Sequence, residues 1–395
     1  MTSAKIRMKR VLVGIGSLIL GAVIWLPCLH IFFTPSRAAC FPEKGIPPEA
    51  EELVARAVHL WTDSDALKSE TLRQRGSNAE WDFMARTFTV LSFLNVCAAE
   101  PSREAALLPL VDRIIEDTLE KEKSNSHYYF LMDYARDAPY IVQPMSSLFV
   151  DGEIALMLYA RRLLKDDSTR WKTLSRNRVD FIVARLTDRP LPFAESYPDE
   201  CWMFDHSLAM AALAISDHVD GTGYSELASS WLKTAKAKLV DNTTGLLVSE
   251  FTLDGEHLDG PEGSTVWVAA SMLSLVDEDF ALDQYRRAAK ELGRSIMGFG
   301  YAREWPASWK GAEDIDSGAM IGSASPASSA LRLIAARTFG DETAFRRTVA
   351  SLHYAAYPRV EDGRRRYLAS NQVGDAAVLY GWVTGPLWKK LEGKN

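Results

Sequence analysis

Six times along the chain a charged amphipathic stretch gives way to an apolar one. Each apolar stretch opens on a short segment rich in carboxylate, aromatic and small residues. The openings are Glu80-Trp81-Asp82, Asp151-Gly152-Glu153, Asp199 to His206, Gly260 to Thr265, Asp314 to Gly318 and Asn371 to Asp375. They recur every ~55 to 70 residues, about what two helices and two connections need, so the pattern predicts six helical hairpins.

The two kinds of stretch differ by face. Outer helices are predicted over Pro48 to Trp61, Arg103 to Lys121, Thr169 to Leu186, Tyr224 to Leu239, Phe280 to Ile296 and Glu342 to Ala355. In the second of these, Leu107, Leu108, Val111, Ile114 and Ile115 make one stripe, and Asp112, Arg113, Glu116 and Asp117 fill the rest. Inner helices are predicted over Phe83 to Val96, Glu153 to Leu164, Ser207 to His218, Thr265 to Val276, Ala319 to Ala336 and Ala376 to Trp388, all rich in Ala, Ser and Gly and poor in charge. A helix apolar nearly all round is a buried one. Strand signals are confined to a possible hairpin at Leu246-Leu247-Val248 and Glu250-Phe251-Thr252. The chain therefore reads as an all-α (α/α)6 toroid.

The N-terminus stands apart. Val11 to Phe33 is a nearly unbroken apolar run behind Lys5, Arg7, Lys9 and Arg10, long enough to cross a bilayer with the basic end inside. The expected organisation is a basic segment over 1–10, a transmembrane anchor over 11–33, a linker over 34–47 and the toroid over 48–395. The toroid would then lie outside the cytoplasm, in the periplasm if the source is bacterial. A cleaved signal peptide is the rival, since Ser36-Arg37-Ala38 resembles a small-x-small cleavage site.

Net charge of −7 gives no basic field for nucleic acid. Cys40, Cys97 and Cys201, the three cysteines outside the span, are too few for a disulfide framework. There is no HExxH, paired CxxC, GxSxG or P-loop, and Asp314-x-Asp316-x-Gly318 lacks the other ligands of a calcium loop. No cofactor or metal is expected.

Inner helices that all run the same way bring their N-terminal ends to one mouth, where unpaired N–H groups and positive dipole ends collect. Candidate catalytic residues there are Asp205, His206, Glu153, Asp82 and Asp316. Candidates for holding a small-molecule substrate are Trp81, Asp151, Ser196, Tyr197, Cys201, Trp202, Glu262, Trp267, Trp305, Asp314, Asn371 and Asp375. Aromatic walls with several carboxylates suit a neutral hydroxylated ligand and acid/base chemistry. Plainer readings stand beside these: Asp82, Asp151, Asp316 and Asp375 are also good N-caps, and Trp81, Trp202 and Trp267 also good core residues.

The run ESYPDECWMFDHSLAMAALA, Glu195 to Ala214, resembles the linalool dehydratase/isomerase family, whose (α/α)6 members carry a Pro-Asp, an aromatic pair and a small-residue inner helix at this point. The resemblance continues through Asp217 to Phe251, Ser264 to Val276 and Asp314 to Asp341. It implies a toroid, which in that family can assemble as a cyclic homo-oligomer. The residues diverge: where the family's characterised enzyme has two cysteines this chain has Ser196 and Asp205, its histidine falls at about Glu153, its tyrosine at about Gly263, and Asp82 is the nearest match to its acid near the first inner helix. The leading expectation is an acid/base lyase or isomerase on a small hydroxylated, terpenoid-like substrate, with Asp205 and Glu153 as acids and His206 as base. The alternatives are an inverting glycoside hydrolase using Glu262 with Asp316 or Asp205, and a non-catalytic ligand-binding protein.

Overall fold

The computed structural model describes residues 3–311, 313 and 317–392. Helix α1 (Ser3–Trp25) runs into a 3-10 turn over Leu26–Phe32. The most apolar part of the stretch Ala4–Phe32 has a mean hydropathy of 2.3 and packs against nothing. Such a helix has the length and composition of an anchor or a signal sequence. A short helix α2 (Arg37–Cys40) follows, then α3 (Pro48–Thr62), α4 (Ser64–Arg75), α5 (Ala79–Ala99), α6 (Glu104–Asn125), α7 (Leu148–Leu164) and α8 (Thr169–Thr187). The rest of the ring is α9 (Met203–Asp220), α10 (Tyr224–Lys238), α11 (Gly263–Leu273), α12 (Glu278–Glu291), α13 (Pro326–Thr338), α14 (Glu342–Ala355) and α15 (Gln372–Val383).

Helices α5, α7, α9, α11, α13 and α15 pack each on the next, and α15 closes back onto α5. Outside them sit α6, α8, α10, α12 and α14, each against the inner helix just before it, while α3 covers α15. The chain thus closes the toroid with its first outer helix against its last inner one. Each hairpin runs inner to outer through a tight connection such as 221–223. The passage from an outer helix to the next inner one takes the long connections 126–147, 188–202, 239–262, 292–325 and 356–371.

Local chemistry sets these boundaries. Side chains of Asn78, Ser325 and Asn371 cap α5, α13 and α15 by accepting from Glu80, Ser328 and Gly374 N–H. Gly221, left-handed at φ 63°, ends α9. Five inner helices begin two to five residues earlier than the sequence pattern predicts, and α13 begins seven residues later, at Pro326 rather than Ala319; Asp82, Asp151 and Asp375 therefore lie inside first turns and cap nothing. The outer helix predicted to reach Ile296 stops at Glu291. Gly293–Ile296 (β3) instead pairs with Phe299–Ala302 (β4) across Met297-Gly298, both at positive φ as a tight hairpin turn requires. A second hairpin joins Pro358–Glu361 (β5) to Arg364–Tyr367 (β6). The hairpin expected near Leu246 is replaced by Glu250–Phe251 (β2) pairing with Cys201–Trp202 (β1). All four cysteines are free thiols.

Glycines let the inner ring close tightly. A Cβ on Gly152 would stand 3.2 Å from the Asp205 carbonyl, and one on Gly263 only 1.9 Å from Ser328 Oγ and 2.7 Å from the Arg303 carbonyl. The Arg303 carbonyl is backbone and cannot swing away. Gly263→Ala should therefore lower stability by about 1–3 kcal/mol, read as a shift in urea midpoint at constant slope for the detergent-solubilised chain.

Candidate functional site

The six inner N-termini surround one cup of about 320 Å³. Trp81, Tyr197, Trp202, Asp205 and Glu262 from the sequence-based set line it, joined by Glu80, Tyr134, Phe149, Phe204 and Thr265. Glu80 is in the first turn of α5, Asp205 in the first turn of α9, and Glu262 occupies the N-cap position of α11. Three acids far apart in sequence therefore share a cavity ringed by helix N-termini, where negative charge is favoured. No Lys, Arg or His lines the cup among the described residues.

The acids are held from behind. Tyr197 donates its hydroxyl to Glu80, and accepts from Met132 N–H at 2.9 Å. Asn78 Nδ2 donates to Glu80 at 3.2 Å. Tyr134 stacks on Tyr197 with ring centroids 4.5 Å apart and donates to Glu200. Burial and neighbouring carboxylates push the phenols of both tyrosines far above their usual range, so they stay neutral donors. Trp305 donates its indole N–H to Glu262 at 3.2 Å, which makes it a support for that acid and not part of the lining. At the rim the β1–β2 pairing sets Glu250 opposite Trp202. Burial, then the charges of Glu200 and Asp259, raises the Glu250 carboxyl to about 7.

The other sequence candidates lie elsewhere. His206 is fully buried behind the cup, stacked on Trp231 and flanked by Phe193 and Phe251. Ala194 N–H donates to its Nε2 and its Nδ1 meets the Trp202 carbonyl at 2.8 Å. Both ring nitrogens are used, so it is not a base for anything in the cup. Asp151 faces outward to Arg178, Arg185 and Ser146. Asp82 pairs with Arg86 at 3.2 Å. Asp375 faces Arg56 and Tyr367 N–H, and burial raises its carboxyl to about 7. Trp267 is core, donating to Ser328 at 3.0 Å; Ser196 and Cys201 are fully buried, and Asn371 is a helix cap. Asp314 and Asp316 lie outside the described residues. Glu153 is buried between α7 and α5, where Thr87 donates to one carboxyl oxygen and the other has no hydrogen-bond partner. Burial, with added repulsion from Asp205 and Glu80, raises its carboxyl well above the usual range. It supports the cup without lining it.

Glu80 was missed as a site residue. It had a readable signal, an acid beside Trp81 at the opening of the first inner helix.

No family model matches the chain, and no curated protein matches it. Several solved structures share its fold. A possible member of the GH105 family from Salmonella enterica subsp. enterica serovar Paratyphi A superposes with a TM-score of 0.55 at 13% identity, covering 91% of this chain and 98% of that one. An unsaturated glucuronyl hydrolase from Bacillus sp. GL1 gives 0.53 at 11% identity, over 86% and 98%. An alpha-amylase from Clostridium perfringens gives 0.51 at 11% identity, over 77% and 85%. Identities this low show the fold alone, an (α/α)6 toroid of the kind found among glycoside hydrolases. They overturn the leading expectation of a terpenoid lyase or isomerase, because the proteins sharing this toroid are described as carbohydrate-active. The linalool dehydratase/isomerase resemblance extends to the toroid and no further. At Gly263, the counterpart of that family's tyrosine, no side chain fits.

Burial lowers the His206 pKa from 6.5 to about 4. A histidine with a depressed folded pKa adds stability that is complete above ~6.5 and lost as pH falls toward 4, a difference of about 3 kcal/mol at most. Denaturant titrations from pH 7 to 4 should show wild-type stability falling more steeply than that of His206→Gln, whose amide can keep both hydrogen bonds. Equal slopes would place His206 in a more polar setting.

Proposed function

We propose that the toroid is a glycoside-cleaving enzyme acting on the neutral end of a sugar chain. The observation that carries this reading is the convergence of Glu80, Asp205 and Glu262 in one aromatic-walled cup. Its volume is at the small end of ligand sites, which run from about 300 to 1,000 Å³, so it admits a short sugar end and not a long stretch of polymer. Tyr197, Tyr134, Trp81 and Trp202 offer apolar ring faces of the kind that stack on the C–H faces of a sugar, and the carboxylates accept from its hydroxyls. A uronate would bring a further negative charge to a lining that, among the described residues, holds three acids and no Lys, Arg or His, so a neutral sugar is preferred.

Hydrolysis needs one carboxylic acid to protonate the departing glycosidic oxygen and one carboxylate to take a proton from water as its oxygen bonds to the anomeric carbon. The Trp305 N–H on Glu262 suits a carboxylate acting as base, which leaves Asp205 as acid. Glu80, held by Tyr197 and Asn78, orients a sugar hydroxyl. The apolar stretch over 11–33 is taken as an anchor that holds the toroid, 48–395, outside the cytoplasm.

The detergent-solubilised chain, incubated with a panel of neutral and uronate-terminated oligosaccharides and read by mass spectrometry, should release neutral sugars. Asp205→Asn and Glu262→Gln should each cut turnover by about 10²–10⁴-fold with unchanged circular dichroism. Full turnover in both variants would remove the assigned roles. Retained sugar binding without turnover in the wild type would make the cup a binding site instead.

A further inference from the structure

The large apolar side chains left exposed on the toroid are not scattered. Outside the N-terminal span, every one among the described residues except Leu72, which is on α4 between the first outer and the first inner helix, lies on a connection leading into an inner helix, or, for Tyr354, in the last turn before such a connection. Leu258, Met297, Trp309, Ile321 and Tyr357 are examples, with Ile321 76% and Tyr357 66% exposed. These connections all belong to the mouth side of the toroid. The tight inner-to-outer connections of the opposite pole carry none. Exposed apolar surface gathered on one pole marks an interaction face.

A second observation says what covers it. The apolar span does not end in a free tether. Phe33 packs against Tyr354 with ring centroids 5.2 Å apart and against Phe299 at 6.0 Å. His353 meets the Phe33 carbonyl at 2.8 Å. The His30 ring lies on the β3–β4 turn so closely that a Cβ on Gly298 would stand 2.2 Å from it. From there the chain runs back along α14: Arg346 donates to the Pro35 carbonyl, Arg37 pairs with Glu342 at 2.7 Å, and Arg337 donates to the Cys40 carbonyl. Ile46 N–H then meets Glu100 past the C-terminal end of α5, at the closed pole. The segment 34–47 is strapped to the body, and the point where the span joins it is the C-terminal, mouth-side end of α14.

We propose that the mouth-side pole docks on the lipid surface of the membrane that holds α1, so that the cup opens toward the bilayer. A clamp at Phe33 holds the body within a few ångströms of the last apolar residues of the span, and the exposed Ile296-Met297 turn of β3–β4 sits beside it. Trp and Tyr at such a level are the side chains that settle at a membrane–water boundary. On the glycosidase reading, and resting on it, the substrate is a sugar presented at that surface on a lipid carrier, since the lipid surface would restrict entry of free polymer.

The test needs no turnover, so its outcome is separate from that of the glycosidase reading. The full chain, with Cys28 replaced by Ser, carries a fluorophore at Ile321→Cys, Tyr357→Cys or, at the closed pole, Ser102→Cys. It is placed one copy per nanodisc of phosphatidylethanolamine and phosphatidylglycerol with brominated acyl chains. Quenching should be at least about twofold stronger at 321 and 357 than at 102, as expected for side chains entering the headgroup boundary, and Ile296→Asp with Met297→Asp should weaken it. Equal, weak quenching at all three positions, or stronger quenching at 102, would overturn the proposal. So would protection of 321 and 357 that appears only as protein concentration rises in detergent, which would mark a second copy as the occupant.

Discussion

The site depends on one geometric constraint: all six inner helices point their N-termini at the same pole. Tight inner-to-outer connections at one end and long outer-to-inner connections at the other enforce it. Only a parallel inner ring brings residues as distant as Glu80, Asp205 and Glu262 into one cavity. The same constraint supplies the cup with unpaired N–H groups and aligned dipole ends, which favour carboxylates there. Close approach of the helices depends in turn on absent side chains. Gly152 against the Asp205 carbonyl, where a Cβ would stand 3.2 Å away, and Gly381 against Leu333, at 2.8 Å, are contacts that a larger residue could make only by displacing its neighbour.

Within each opening, helical phase decides which acid reaches the cup. Successive residues on a helix differ by about 100° in direction, so neighbours in sequence separate in space. Asp205 lines the cavity while His206 enters an aromatic core; Glu80 lines it while Asp82 turns to Arg86. This is why the fold was legible in the sequence and the site only in part. Alternation of charged and apolar stretches survives an error of a turn in a boundary, and the architecture followed from it. A side chain's direction does not survive that error. With α7 beginning at Leu148, Asp151 turns away from the cup to Arg178 and Arg185, and Glu153 is buried against Thr87 of α5.

Other losses have different causes. The β3–β4 hairpin was hidden because Arg294-Ser295-Ile296 continues the amphipathic pattern of α12, and only Gly293 and the Met297-Gly298 turn break it. Pairing of α3 with α15 joins opposite ends of the chain, a contact that periodicity does not encode. The dehydratase-like segment around Glu195 to Ala214 misled on function, since much of what it specifies is scaffold. Glu195 accepts from the N–H groups of Ile141, Val142 and Asp199, fixing one connection against another.

Arginine placement completes the electrostatic argument. Arg86, Arg161, Arg162, Arg178 and Arg185 are all buried or nearly so in the walls, yet each faces acids of its own: Asp82 and Asp117, Asp112 and Asp167, Asp166 and Asp220, Glu122 and Asp151, and Asp151 again. Pairing satisfies buried charge locally and leaves little field to spread inward. Among its described residues the cup lining holds acids and no Lys, Arg or His, which makes its potential negative. A negative, largely apolar cavity stabilises positive charge that develops at its centre more than it stabilises a neutral ground state. Glycosidic cleavage passes through a transition state with that character, whereas binding a uronate would oppose the same field. The arrangement of cations outside the cup thus bears on the proposed chemistry as directly as the carboxylates inside it.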